Sequence, residues 1–118
     1  MLNYFFKKKL RLSNSTNFKY VFNKPCINYT CEISIFGRFN LLGHPRLGLS
    51  VPRKYIKFAN KRNKIKRLIR ESFRLLQHKL ISMDFVVIVK KNIALLKNKK
   101  IMNILENLWI NYYKQLYI

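Results

Sequence analysis

From Phe85 to Val89 every side chain is apolar, and an unbroken β-branched and aromatic run of this length fits a strand buried on both faces. Other segments carry different periods. Between Ile27 and Phe39, Cys31, Ile33 and Ile35 alternate with Glu32 and Ser34, which predicts one strand with unlike faces, and "NLLGHPR" then turns the chain at Gly43 and Pro45. "RLGLSV" predicts a further strand, ended by Pro52. Three segments read as helices. In "LSNSTNFKYVFNKP", Ser13 or Asn14 offers a cap, Phe18, Val21 and Phe22 an apolar side, and Pro25 a stop. A longer helix is predicted from about Phe58 to Leu80. A final one carries Ile101, Leu105, Leu108, Tyr112 and Leu116 at spacings of three and four, with Trp109 beside the stripe. Helix, two or three strands, helix, strand, helix is the order of a small α+β sandwich.

The long helix has two unlike sides. At about 100° per residue its apolar side centres on Ile65, Leu68, Ile69, Ser72 and Leu76. Asn63, Arg67, Arg70 and Arg74 fall on the opposite arc, flanked by Arg62 and Lys66 on one edge and Lys64 on the other. Aligned arginines at these spacings repel one another, a penalty that a bound polyanion removes. Arginine also matters by type, because its planar fork holds two phosphate oxygens at once or stacks on a base. The competing readings of "KRNKIKRLIRE" are a solvated face of a lysine-rich protein and a nuclear-localisation tag. The core-facing stripe speaks against the tag, and the scarcity of acids against the solvated face.

Composition extends that argument to the whole chain. The 118 residues hold 25 Lys and Arg against four acids, Glu32, Glu71, Asp84 and Glu106, for a formal charge of +21. Such self-repulsion favours a polyanionic partner, nucleic acid first and an anionic membrane surface second. The basic residues recur throughout the chain, so the charge belongs to one folded domain spanning residues 1–118, with residues 1–10 expected to be irregular. No apolar run approaches the roughly 18 to 20 residues that span a bilayer, and the N-terminus does not read as a secretory signal. A cytosolic protein is expected, with Cys26 and Cys31 as reduced thiols. With only His44 and His78 to join them, a zinc site is not expected.

A self-contained active site is not expected either. The acids are scattered, no His belongs to a nucleophile motif, and three glycines make no phosphate loop. The aromatics carry two readings. Phe18, Phe22 and Phe36 are core candidates, since burying one contributes about 1.5 to 3 kcal/mol. They are also candidate platforms for single-stranded RNA, whose bases stack on aromatic rings while nearby Lys and Arg follow the backbone. Tyr20 could face either way.

The residues "LRLSNSTNFKYVF", "GRFNLLGHPRLGLSVPRK", "KRNKIKRLIRESFRLLQH" and "MDFVVIVKK" together resemble the protein component of bacterial ribonuclease P over the whole chain. The basic helix is similar to that family's Arg-Asn-Arg signature, with Lys64 replacing the third position. The resemblance implies an αβββαβα sandwich whose signature helix lies in a left-handed βαβ crossover, against the general rule of hand. It implies a subunit that binds a large catalytic RNA, in a holoenzyme that hydrolyses precursor tRNA to remove the 5′ leader. Mg²⁺ is held chiefly by RNA in that scheme. The catalytic-RNA contacts would be Arg62, Asn63, Lys64, Lys66, Arg67 and Arg70. The leader-binding cleft would contain Phe18, Phe22, Phe36, Arg46, Arg53, Lys54 and Lys90. No membrane and no obligate protein partner is expected. The rival is a non-catalytic ribosomal or RNA-assembly protein. A DNA-binding helix-turn-helix is a weaker third, because strand-like segments flank the basic helix.

Overall fold

The computed structural model describes residues 6, 8–12 and 15–117. Ser13 and Asn14, the expected helix caps, lie outside the described residues, as does the Leu116 side chain. The elements are α1 (Ser15–Asn23), β1 (Cys26–Tyr29), β2 (Ile33–Phe39), β3 (Arg46–Ser50), α2 (Ala59–Leu76), β4 (Met83–Val89) and α3 (Asn98–Ile110). This is the αβββαβα order. Short 3-10 turns occupy Lys8–Leu10, Lys91–Leu95 and Lys114–Tyr117, and Leu10 within the basic N-terminal segment is buried.

Four strands form one sheet in the order β1-β2-β4-β3. Strands β1 with β2 and β2 with β4 are antiparallel, whereas β3 and β4 are parallel neighbours joined through α2. The single strand expected from Ile27 to Phe39 is a hairpin. Thr30 breaks it, its Oγ1 accepting from the backbone N–H of Glu32 at 3.2 Å and of Ile33 at 3.3 Å. Cys31 consequently sits exposed in the turn instead of continuing an apolar face. Ser34 is buried beside Ile33 and Ile35, because β2 is an inner strand and both of its faces are covered at this point.

One sheet face packs under α2 and α3. Ile33, Ile35, Leu47, Phe85, Val87 and Val89 meet Ile65, Ile69 and Phe73 of α2 and Ile101, Leu105, Leu108 and Trp109 of α3. Trp109, expected beside the stripe, lies at its centre and is fully buried. Its indole N–H donates to Ser72 Oγ at 3.1 Å, and that hydroxyl donates to the Ile69 carbonyl at 2.8 Å, so both polar groups of the helix interface are satisfied. Tyr112, one turn past α3, donates to the carbonyls of Cys26 at 2.7 Å and Ile35 at 3.1 Å, tying the C-terminus to the sheet. Helix α2 stops at Leu76, short of the expected Leu80, which instead bridges to Tyr113.

The opposite face carries α1. A smaller cluster of Leu12, Val21 and Val86, with Phe18, Phe36 and Ile88 against it, holds that helix down. Covering β4 on both faces explains why its sequence is apolar from Phe85 to Val89.

Candidate nucleic-acid interface

Helix α2 turns Ile65, Ile69, Ser72 and Phe73 inward and leaves Leu68 and Leu76 half-buried at the edges of the stripe. Asn63, Lys64, Arg67 and Arg70 are exposed, and none has a hydrogen-bond or ion-pair partner among the described residues. Lys66 is half-buried on the flank. Arg62 differs from its neighbours: one guanidinium nitrogen donates to the carbonyls of Ile56 at 3.0 Å and Lys57 at 2.6 Å, fastening the start of α2 to the loop before it. Arg74, aligned with the others by the helical period, forks onto Glu71 with Nε to Oε2 at 3.1 Å. That hydrogen bond holds the Glu71 carboxyl below its ordinary value and raises the Arg74 guanidinium. The uncompensated face is therefore shorter than the sequence suggests and centres on Asn63, Lys64, Arg67 and Arg70.

The α1 side of the sheet is ordered in rows set by the strand register. The middle row runs Ile27, Phe36, Val86, Gly48, and α1 lies over it. Gly48 is required there, because a Cβ would stand 2.6 Å from Phe18 Cζ and 3.0 Å from Leu12 Cβ. Phe22 meets Phe36 edge-to-face, centroids 5.2 Å apart, yet keeps 42% of its surface exposed. On one side of this row stand Arg38, Asp84 and Arg46. On the other stand Tyr29, Ser34, Ile88 and Ser50, of which Ile88 packs against the α1 cluster, Ser34 is buried and Tyr29 is exposed. Arg53 and Lys54 follow β3 as exposed turn residues, and Lys90 follows β4. Phe18, Phe22 and Phe36 thus share the α1 face of the sheet, while Lys54 lies over the Tyr55 ring and Lys90 over the Tyr29 ring.

Arg46 shares the sheet face but is committed elsewhere. Its Nε and Nη2 reach Asp84 Oδ1 and Oδ2 at 2.8 and 2.7 Å, and Asp84 is almost fully buried. The fork onto Asp84 raises the Arg46 guanidinium further above its ordinary value. This internal pair occupies the geometry that a phosphate would need. Tyr20 faces outward: the Arg38 guanidinium lies 3.7 Å from its ring centroid and donates to its carbonyl at 2.9 Å.

The two surfaces meet at the β3 edge. A cavity of about 260 Å³ is lined by Phe18 and Gly48 from the α1 side and by Lys66 and Arg70 of α2, with Arg11 and Phe6 at its rim. Sequence reasoning passed over Arg38 and Tyr29. Arg38 was readable, since it alternates in step with Phe36 on β2. Tyr29 was not, because an odd separation from Phe36 within one strand points the two apart, whereas the hairpin pairs Tyr29 with Ser34 and puts it on the Phe36 face.

Among the described residues no three His, Cys, Asp or Glu cluster as metal ligands, and no helix is long and apolar enough to cross a membrane. The residues instead present two cationic surfaces, one built on arginine forks and one on aromatic rings, joined through a cavity.

The profile of the family described as Ribonuclease P matches residues 6–113. The ribonuclease P protein component of Buchnera aphidicola subsp. Schizaphis graminum is 72% identical over 112 residues, covering 95% of this chain and 98% of that protein. Its counterpart in Serratia proteamaculans is 50% identical over 115 residues, covering 98% and 97%. Among solved structures, the Staphylococcus aureus RNase P protein superposes with a TM-score of 0.80 at 29% identity, covering 84% of this chain and 91% of that one. The Thermotoga maritima RNase P protein gives 0.75 at 28% identity, covering 86% and 96%.

Proposed function

The chain belongs to the ribonuclease P protein family, and from that membership we propose that its two surfaces hold two different RNAs. It is a protein component of a ribonuclease holoenzyme, and its RNA partner is the ribonuclease P RNA. In this reading Asn63, Lys64, Lys66, Arg67 and Arg70 contact that RNA, while Arg62 positions their helix by holding the preceding loop. The trough of Phe18, Phe22 and Phe36, with Arg53, Lys54 and Lys90 at its margins, takes the single-stranded 5′ leader of precursor tRNA. Bases stack on the rings while the cations follow the phosphates.

The observation that carries the reading is the junction of the two surfaces at the cavity between Phe18 and Arg70. A leader lying on the sheet is thereby delivered beside the helix that grips the catalytic RNA. The protein supplies binding and orientation, and the RNA supplies the hydrolytic groups. Asp84 is taken by Arg46 and Glu71 by Arg74, which supports a reading in which neither carboxylate serves the hydrolysis. Mg²⁺, held by RNA and substrate phosphates, would supply the charge stabilisation for phosphodiester hydrolysis. The reaction would run in the cytoplasm.

The test is the affinity of the reconstituted holoenzyme for precursor and mature tRNA after Phe22→Ala. A loss confined to precursor tRNA supports the leader reading. Equal losses for both overturn it and return Phe22 to the core.

A further inference from the structure

Strands β3 and β4 are parallel, and each is followed by a helix on the same face of the sheet, so α2 and α3 begin at the same end of the molecule. Between their first turns and the 3-10 turn Lys91–Leu95 lies a cavity of about 240 Å³, on the face of the sheet opposite α1. Buried Ile56, Ile65, Ile93 and Ile101 give it apolar walls, and its polar lining is Lys61, Lys64 and Asn98. At that volume, under the roughly 300 Å³ where drug-sized pockets begin, it admits a single ring system. Apolar surface is also left open around it. Leu95 is 85% exposed, and Phe58, just before α2, is 64% exposed with its ring centroid 5.7 Å from Lys61 Nζ.

The charge around the cavity says what kind of molecule fits. Lys57, Lys61 and Lys64 on one side and Lys97, Lys99 and Lys100 on the other are all exposed, and none forms an ion pair among the described residues. No acid stands in the first turn of either helix. An apolar slot for one ring inside a cationic rim matches a nucleotide, whose base leaves water while its phosphates stay on lysines. An amide at the wall suits the edge of a base, since Asn98 can donate and accept. Continuity narrows the source: Lys64 belongs both to this rim and to the exposed face of Asn63, Arg67 and Arg70.

We propose that the cavity takes one unpaired nucleotide of the catalytic RNA, its base among the isoleucines and its flanking phosphates on Lys61 and Lys64. The site rests on the reading of α2 given above and carries that contact round the helix onto α3. The arginines of α2 grip the backbone, whereas this slot requires a base free of its stack. It therefore selects a place on the RNA where a nucleotide is unpaired, and it sets the register of α2 on the RNA.

The experiment forms the complex of the catalytic RNA with the natural protein and with Ala94→Phe, Lys61→Ala and Arg70→Ala. It reads affinity across salt, the reactivity of each unpaired base toward dimethyl sulfate and a carbodiimide, and the thermal midpoint of each protein. Ala94 lines the cavity yet is exposed, so a larger side chain there fills the slot from outside the core. The natural protein is expected to shield an unpaired base that Ala94→Phe leaves reactive. Losing a base contact of this kind corresponds to about five-fold or more in affinity, with the salt slope unchanged because no cation is lost. Lys61→Ala should expose the same base and flatten the log-log slope by about 0.7. Natural affinity in Ala94→Phe overturns the proposal, and so does a loss with no base-specific change. Should Ala94→Phe lower the thermal midpoint, the exposed Lys61→Ala decides, and full protection with a full slope there overturns it. If Arg70→Ala weakens binding while neither cavity variant does, the slot fails and the reading of α2 stands; if none responds, both fail. Adenosine monophosphate bound by the protein and lost in Ala94→Phe, with the RNA protections unaltered, would make this a site for free nucleotide and overturn the proposal.

Discussion

Arg46 and Asp84 close a two-point contact across the parallel strands β3 and β4, with both nitrogen to oxygen distances below 3 Å. Asn40 Nδ2 adds a third donor to Asp84 Oδ1 at 2.9 Å, so the buried carboxylate is held on both oxygens. The pair fixes the register of the βαβ unit at the end where α2 must return. Removing either partner leaves the other charge partly or wholly uncompensated, which for a buried pair costs about 3 to 5 kcal/mol. Arg46 is one-fifth exposed, so the lower end applies. Asp84→Ala should lower unfolding stability by about 3 kcal/mol in urea titration. Arg46→Lys, keeping charge without the fork, should lose less than Asp84→Ala while leaving the preference for precursor over mature tRNA unchanged.

Three substitutions on α2 separate free from compensated cations. Arg67→Ala and Arg70→Ala should each weaken binding to the catalytic RNA and flatten its salt dependence by about 0.7 to 0.9 in log-log slope per lost phosphate contact. Arg74→Ala should leave the slope nearly unaltered, because its fork already rests on Glu71. The folded Glu71 pKa is depressed, so that pair is intact above the ordinary carboxylate value and is lost only as pH falls through the lower folded value. Around neutral pH the Arg74 result should accordingly be independent of pH. Lys64→Arg, restoring a planar fork at an exposed position, should tighten the same complex several-fold without changing the slope.

The basic face of α2 was legible because a helix has one period and its apolar stripe fixes the rest: Ile65 and Ile69 inward place Asn63 and Arg70 outward. Strand β4 was legible for a similar reason, since a doubly covered strand is apolar at successive positions, as from Phe85 to Val89. The path between Ile27 and Phe39 was not. Thr30 converts one strand into two through local hydrogen bonds that hydrophobic alternation does not register, and the parity of Tyr29 flips with it. Arg46 and Asp84 lie far apart in sequence, and their pairing depends on β3 lying parallel to β4, so the resemblance placed Arg46 among the leader contacts with nothing in the sequence to show its partner.

Gly48 tests how closely α1 must approach the sheet. Gly48→Ala puts a methyl group within 2.6 Å of Phe18 Cζ, so the ring must move or α1 must lift. Overpacking of this kind costs about 1 to 3 kcal/mol. Thermal denaturation should show that loss. The folded remainder should bind precursor tRNA more weakly than the natural protein does, with mature tRNA affected less, since Phe18 links the trough to the cavity.

The most direct measurement is leader removal from precursor tRNA by the cognate catalytic RNA at low Mg²⁺, followed as the protein is titrated in. The protein alone should cleave nothing, and its addition to the RNA should accelerate leader removal and tighten precursor tRNA over mature tRNA. A cleavage rate and substrate preference that stay flat across protein concentration and salt would contradict the account.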